Sequence, residues 1–299
     1  MPVSRRAFMG AVAALGCASR LTARPAKNRR LVMLAGTPSH GPGDHEHNAG
    51  VQLLAKCLAG VPGLETTVLL NGWSDKVPAA LDGADALLVY ADGGAGHPLV
   101  RGDHLKVVGE KIKAGLGLMC VHYAVEVPAD LGGPQFKDWI GGYYETNFSV
   151  NPMWAPEYTT FPDHPITRGV KPFQTKDEWY FNMRFRDDPK GVTPILSAVP
   201  PDTVRDGPYV HPRGPYPHIQ AAKGRLEHTM WAVERPDGGR GVGFTGGHFH
   251  RNWQNPDFRK VVLNALVWVS KAEVPANGVQ SAVTAEDMAK NLDPKPGRK

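Results

Sequence analysis

Six of the twelve histidines in this 299-residue chain gather at three points. His40, His45 and His47 lie in "SHGPGDHEHNAG", His122 follows "GLGLMCV", and His248 and His250 lie in "GGHFHRNW". Imidazole is the commonest neutral metal ligand and also titrates near physiological pH, so such a gathering points to metal binding or proton transfer. Each group sits just past a short apolar run that reads as a β-strand. If those strands are parallel, all three groups share one rim, where open α/β sheets bind ligands beyond the carboxyl ends of their strands.

The first loop admits two readings. His45 and His47 could bind a metal while backbone N–H groups at the start of the next helix receive an anionic or polar ligand. Alternatively, Asp44 caps that helix and the histidines are solvated. In "LLVYADGGAGHP", Asp92 reaches the same rim, and Gly93 and Gly94 permit close backbone approach to a ligand or form only a turn. Cys120 stands two residues before His122, so strand alternation puts both on one side, with Cys120 still inside the sheet. That placement disfavours a cysteine nucleophile, which must be exposed and activated. "DHPITRG" at 163–169 reads as a structural turn, with Asp163 capping it and Arg168 pairing locally.

Elements that would position these residues follow from short aliphatic runs bounded by Gly, Asp or Pro. They predict strands at 30–36, 65–70, 85–91 and 115–121, with helices in "HNAGVQLLAKCLAG" and "GDHLKVVGEKIKAG". Alternation of strand and helix predicts an α/β fold with a doubly wound, mostly parallel sheet and right-handed crossovers. From about 125 to 225 the chain is rich in Pro, Gly and aromatics. This stretch is expected to form an elaborated, loop-rich cap, with further strands near 192–198 and 226–234. A last strand at 240–245 leads into the helix "NPDFRKVVLNALVWVS", and 272–299 reads as a polar tail.

Length allows one large α/β domain or two small ones. At the N-terminus, "SRRAFMG" followed by "AVAALG" reads as a twin-arginine export signal over residues 1–26, implying export in the folded state to the periplasm. Lipoprotein anchoring through Cys17 is the weaker alternative, and the apolar run is short for a membrane anchor. The formal charge of +5 is concentrated at this end: Arg5, Arg6, Arg20, Arg24, Lys27, Arg29 and Arg30 have no accompanying acid, and residues 31–299 carry −2. The basic balance therefore gives no support for nucleic-acid binding. Neither Cys57 nor Cys120 is expected in a disulfide.

The His-bearing loop, Val121-His122-Tyr123-Ala124, "DHPITRG", "DEWY" at 177–180 and "GGHFHRNW" occur in an order that resembles the trehalose-utilisation ThuA-like family over residues 30–271. That family is a branch of the class I glutamine amidotransferase-like, flavodoxin-like fold in which the nucleophilic cysteine is missing. His122 stands where the amidotransferase cysteine would, and Arg251 and Asn252 replace the Pro-Glu that would follow the last histidine. The first loop departs from the shorter one common in the family.

What the resemblance implies is a sugar-acting lyase, hydrolase or isomerase step on a glycoside or 3-keto glycoside, beside an oxidoreductase that makes the keto sugar. On that basis His122 or His250 is expected as base, with Glu178 also catalytic. His45, His47 and His248 are expected as metal or substrate ligands, for zinc or another divalent transition metal. Glu178 and Asp92 would bind sugar hydroxyls or orient an imidazole, Gly93 and Gly94 would meet the substrate, and Trp154, Trp179, Tyr180 and Trp253 would be stacking surfaces. No nucleotide cofactor is expected, and a homo-oligomer is allowed. The alternative is a non-catalytic carbohydrate-binding protein of the same fold.

Overall fold

The computed structural model describes Met1 and residues 28–297; the expected export signal and Cys17 lie outside the described residues. Seven strands form the main sheet: β1 (Arg29–Ala35), β2 (Leu64–Leu69), β3 (Ala86–Tyr90), β4 (Gly117–Val121), β5 (Val192–Ala198), β6 (Glu227–Glu234) and β7 (Arg240–Phe244). Their order is β5-β6-β7-β4-β3-β1-β2. All pairings from β7 through β4, β3 and β1 to β2 are parallel, whereas β5–β6 and β6–β7 are antiparallel. The five parallel strands run 2-1-3-4-5 in chain order, the flavodoxin-like arrangement, with its reversal of direction between β1 and β3.

Alternation along each central strand feeds two apolar layers, one on each face. On β1, Leu31, Met33 and Ala35 enter one layer while Val32 and Leu34 enter the other. The first layer is closed by α1 (His47–Leu58) and α5 (Pro256–Val269), the second by α2 (Lys76–Leu81), α3 (His104–Lys113) and α4 (Gly133–Ile140). Helix α5 starts where Asn255 accepts hydrogen bonds from the backbone of Asp257 and Phe258, and Pro256 occupies the first turn without losing a needed donor. Among the described residues no helix is long and apolar enough to cross a membrane.

The cap between β4 and β6 contains more structure than its composition suggests, since α4 and several two-residue ladders hold it together. Its aromatics account for this: Trp154, Tyr158, Trp179 and Phe181 are buried in the first apolar layer. The segment after α5 is also packed. Val274, Val279 and Met288 are buried, and a reciprocal Thr284–Asp287 capping box starts a short helix, α6 (Ala285–Ala289). A tail in composition is therefore a docked strap in structure.

Packing between β7 and β6 is tight enough to test. A Cβ on Gly243 would lie 2.1 Å from the Trp231 ring, whose Nε1 donates to the Ile140 carbonyl at 2.6 Å. Gly243→Ala is expected to destabilise the fold by about 1–3 kcal/mol, read as a lower denaturant midpoint at unchanged slope.

Candidate functional site

The three histidine groups do meet. His45 ends the loop after β1, His122 follows β4 directly, and His248 lies in the loop after β7. His45 and His122 adopt the left-handed backbone region, with φ 46° and 56°, which costs a non-glycine residue roughly 1–3 kcal/mol. At His122 this sharp turn lifts the ring out of the strand line toward the rim. The β7 loop is fixed by Asp177, fully buried, whose carboxylate accepts from the backbone of Gly247 (2.8 Å) and His248 (3.0 Å) and from Asn252 Nδ2 (2.9 Å). The His45 backbone N–H donates to the His248 carbonyl at 2.9 Å, tying the first loop to the last.

Hydrogen-bond partners determine where the lone pairs point. His122 Nδ1 lies 2.9 Å from the Thr245 carbonyl, an acceptor only, so the proton is on Nδ1 and Nε2 carries the lone pair. His45 Nδ1 lies 2.7 Å from Asp92 Oδ1, which likewise leaves Nε2 as a lone pair. Those two Nε2 atoms are 3.1 Å apart. Two acceptors at that separation repel unless a proton or a cation lies between them. His248 Nδ1 is 3.0 Å from His45 Nε2 and 2.6 Å from Glu178 Oε2. Ligand atoms of His45, His122, Glu178 and His248 all fall within 4.8 Å of one another, and all four residues are buried. This set could hold a metal ion.

Protonation supports the same geometry. Burial, reinforced by neighbouring imidazoles, holds His45 and His122 well below the ordinary histidine range, so both are neutral ligands at pH 7. Burial is the largest single influence on His248 and lowers it, but the bond to Glu178 together with the charges of Glu178, Asp177 and Asp44 outweighs this, so its affinity for a proton is raised. Burial raises Glu178, whose other oxygen accepts from Asn151 Nδ2 at 2.8 Å. Tyr180 Oη stands 3.2 Å from His122 Nε2.

The cluster opens on a cavity of about 470 Å³ lined also by Asp92, Gly93, Tyr123, Glu126 and His211. Glu126 is pushed up to about 7 by burial, with Thr146 Oγ1 donating to it at 2.8 Å. Gly93 is required there, because a Cβ would lie 2.2 Å from the Tyr123 carbonyl.

Residues 33–269 match the family described as ThuA, trehalose utilisation, a span that includes the end of β1, the other four parallel strands and all three histidine loops. The chain belongs to the ThuA family. Two solved structures described as ThuA-like share the fold at 14% identity. The one from Bacteroides uniformis ATCC 8492 has a TM-score of 0.57, covering 82% of this chain and 93% of that one. The one from Parabacteroides merdae ATCC 43184 has a TM-score of 0.55, with 87% and 94% covered. No functionally curated protein matches the sequence. Membership in this family gives the chain a carbohydrate-related role.

Within this ThuA fold, sequence expectation and structure part at several residues. His47 lies beneath the cluster, with Nδ1 against the Thr37 carbonyl at 3.2 Å and Nε2 3.8 Å from Asp92. It therefore braces the site instead of joining the four donors. His250 turns away altogether: a 3-10 turn begins at this residue, and Nε2 faces the Met288 carbonyl at 3.2 Å. Trp179 and Trp253 are wholly buried and pack on Phe258, and Trp154 donates to the Trp179 carbonyl, so none of the three is a sugar platform. Tyr180, Asp92 and Gly93 do line the cavity, whereas Gly94 serves the adjoining turn with φ 59°.

Cys120 is fully buried and its thiol is raised by burial, and both cysteines among the described residues are free. In "DHPITRG" it is His164, not Asp163, that caps the turn, while Arg168 reaches Glu273 at 2.7 Å. Sequence reading missed Tyr123, Glu126 and Asn151. A signal existed for the first two, since "HYAVE" carries them directly past the elbow histidine.

The C-terminal strap fastens the first histidine loop from outside. Glu46 Oε2 accepts from the Asp293 backbone at 2.7 Å, Asn48 donates to Asp293 at 2.7 Å, and Lys295 Nζ donates to the Asp44 carbonyl. Glu46 Oε1 in turn takes the Gly43 N–H at 2.7 Å, which fixes the curve of the loop that delivers His45. Deleting residues 290–299 is expected to raise amide exchange across residues 41–47 at least tenfold, roughly, while β3 and β4 keep their protection, as hydrogen exchange with mass spectrometry would read.

Proposed function

We propose that this protein is an exported carbohydrate-processing enzyme acting on a glycoside or 3-keto glycoside at the His45, His122, Glu178 and His248 centre. The observation that carries the reading is the pair of opposed imidazole lone pairs beside a buried carboxylate, a donor set suited to a divalent transition metal such as zinc. Such an ion, when bound, would polarise a substrate oxygen as a Lewis acid. The family's trehalose description supports a sugar as substrate. The Arg5-Arg6 motif supports export.

The residues then divide the work. In a 3-keto glycoside the carbonyl acidifies the C2 proton. Glu126, which lines the cavity without belonging to the donor set, takes that proton. The C2–H electron pair forms a C1=C2 double bond, the C1–O bond to the leaving sugar breaks with its pair on oxygen, and the proton on Glu126 is available to that oxygen. Asp92 holds the His45 ring and Asn151 holds Glu178, so both donors are oriented before substrate arrives. A base that titrates at about 7 is matched to neutral pH. The keto group itself must come from a sugar oxidoreductase.

Elemental mass spectrometry of the purified protein is expected to find close to one transition metal per chain, lost in His45→Ala, His122→Ala and His248→Ala. Glu126→Gln should keep the metal yet lose about a hundredfold or more in kcat/KM on a 3-keto disaccharide. Because Glu126 acts deprotonated, kcat/KM should rise with pH up to about 7 and then level off, and that acid limb should disappear in Glu126→Gln. Saccharide binding with no turnover in the unmodified protein would instead leave a carbohydrate-binding protein.

A further inference from the structure

A second cavity, of about 280 Å³, lies at the C-terminal ends of β1, β2 and β3. It occupies the crevice at the chain's change of direction, since β1 has β2 on one side and β3 on the other. Gly36 keeps its floor low, because a Cβ there would meet Ala91 Cα at 2.8 Å. Neither the histidine cluster nor Glu126 lines it, but Asp92 and Gly96 border both cavities. The two spaces are neighbours across a single turn.

The lining is chemically mixed. Trp73 stacks on His104 with ring centroids 3.9 Å apart at 10°, giving an apolar wall. Arg101 supplies N–H donors, Asp92 supplies acceptors, and Asn71 supplies both. A pyranose ring matches this set, with an apolar C–H face for the aromatic wall and hydroxyls that both donate and accept. An anion matches it less well, because the Asp92 carboxylate shares the space with Arg101.

From this geometry we infer that the cavity is a subsite for the second sugar ring of a disaccharide whose reacting ring occupies the histidine cavity. The inference rests on the carbohydrate reading above. The substrate would then span the Asp92–Gly96 turn, and Asp92, which orients His45, would also meet the ring that departs. Two-ring substrates would be favoured over simple alkyl glycosides.

Isothermal titration calorimetry can test this in the full chain carrying Glu126→Gln, so that neither probe is consumed. The probes are 3-keto-α,α-trehalose and methyl 3-keto-α-D-glucopyranoside. The disaccharide is expected to bind about tenfold or more tightly than the methyl glycoside. Trp73→Ala and Arg101→Ala should each remove most of that advantage while leaving the methyl glycoside's Kd within about twofold. Arg101 is exposed, so its removal leaves the fold intact even if Trp73→Ala does not. Equal affinity for the two probes, or variants that weaken both alike, would overturn the subsite and leave the proposed function standing. Binding of neither probe would overturn both.

Discussion

Everything at this rim depends on two imidazole nitrogens that face each other, 3.1 Å apart, each with its proton committed elsewhere. Asp92 and the Thr245 carbonyl take the two Nδ1 protons, and in doing so turn both Nε2 lone pairs inward. Such a contact is repulsive in isolation. It persists because the rings are held from behind: the left-handed backbone at His45 and His122, the Asp177 anchor under the β7 loop and the strap over Glu46 all restrict relaxation. The surrounding fold keeps two donors closer than they would choose to be, which is the condition in which a cation is most strongly attracted.

The electrostatic arrangement around them is asymmetric. On one side sit neutral, deeply buried imidazoles; on the other, Glu178 and His248 share a proton across 2.6 Å. Glu178 and His248 are both raised by their surroundings, so the pair can pass between charged and neutral forms without adding net charge. Glu126 stands outside this exchange, held by Thr146, and keeps its own titration near neutrality. A donor set that could hold an ion and a separate carboxyl that titrates near neutrality are thereby brought to one cavity from different elements.

Much of this was legible in the sequence, for reasons that particular residues make plain. Strands β1 and β3 lie within a residue of their expected bounds, because each is an apolar run cut off sharply, β1 by Gly36 and β3 by Asp85 and Asp92 on either side. His45, His122 and His248 were found because strand ends converge in a parallel sheet. His250 was expected as base from the resemblance, but it opens a 3-10 turn that aims its ring at the Met288 carbonyl, and which way a turn residue faces is not written in its spacing. Trp179 was misjudged because a cap of irregular backbone still needs a core, and large aromatics fill one with few residues; Trp253, in the turn after β7, is buried against Phe258 in the same layer. The strap escaped notice because its apolar anchors are sparse, although Thr284-Ala285-Glu286-Asp287 carries the spacing of a capping box.

That strap has a bearing on which ion the centre would acquire. The loop delivering His45 is fastened by residues 293–295, so that donor is fixed in place only once strap and loop have met. For a protein exported already folded, as proposed, that meeting takes place before the membrane is crossed. The metal available where the protein folds, and not the metal available where it is delivered, would then choose the occupant.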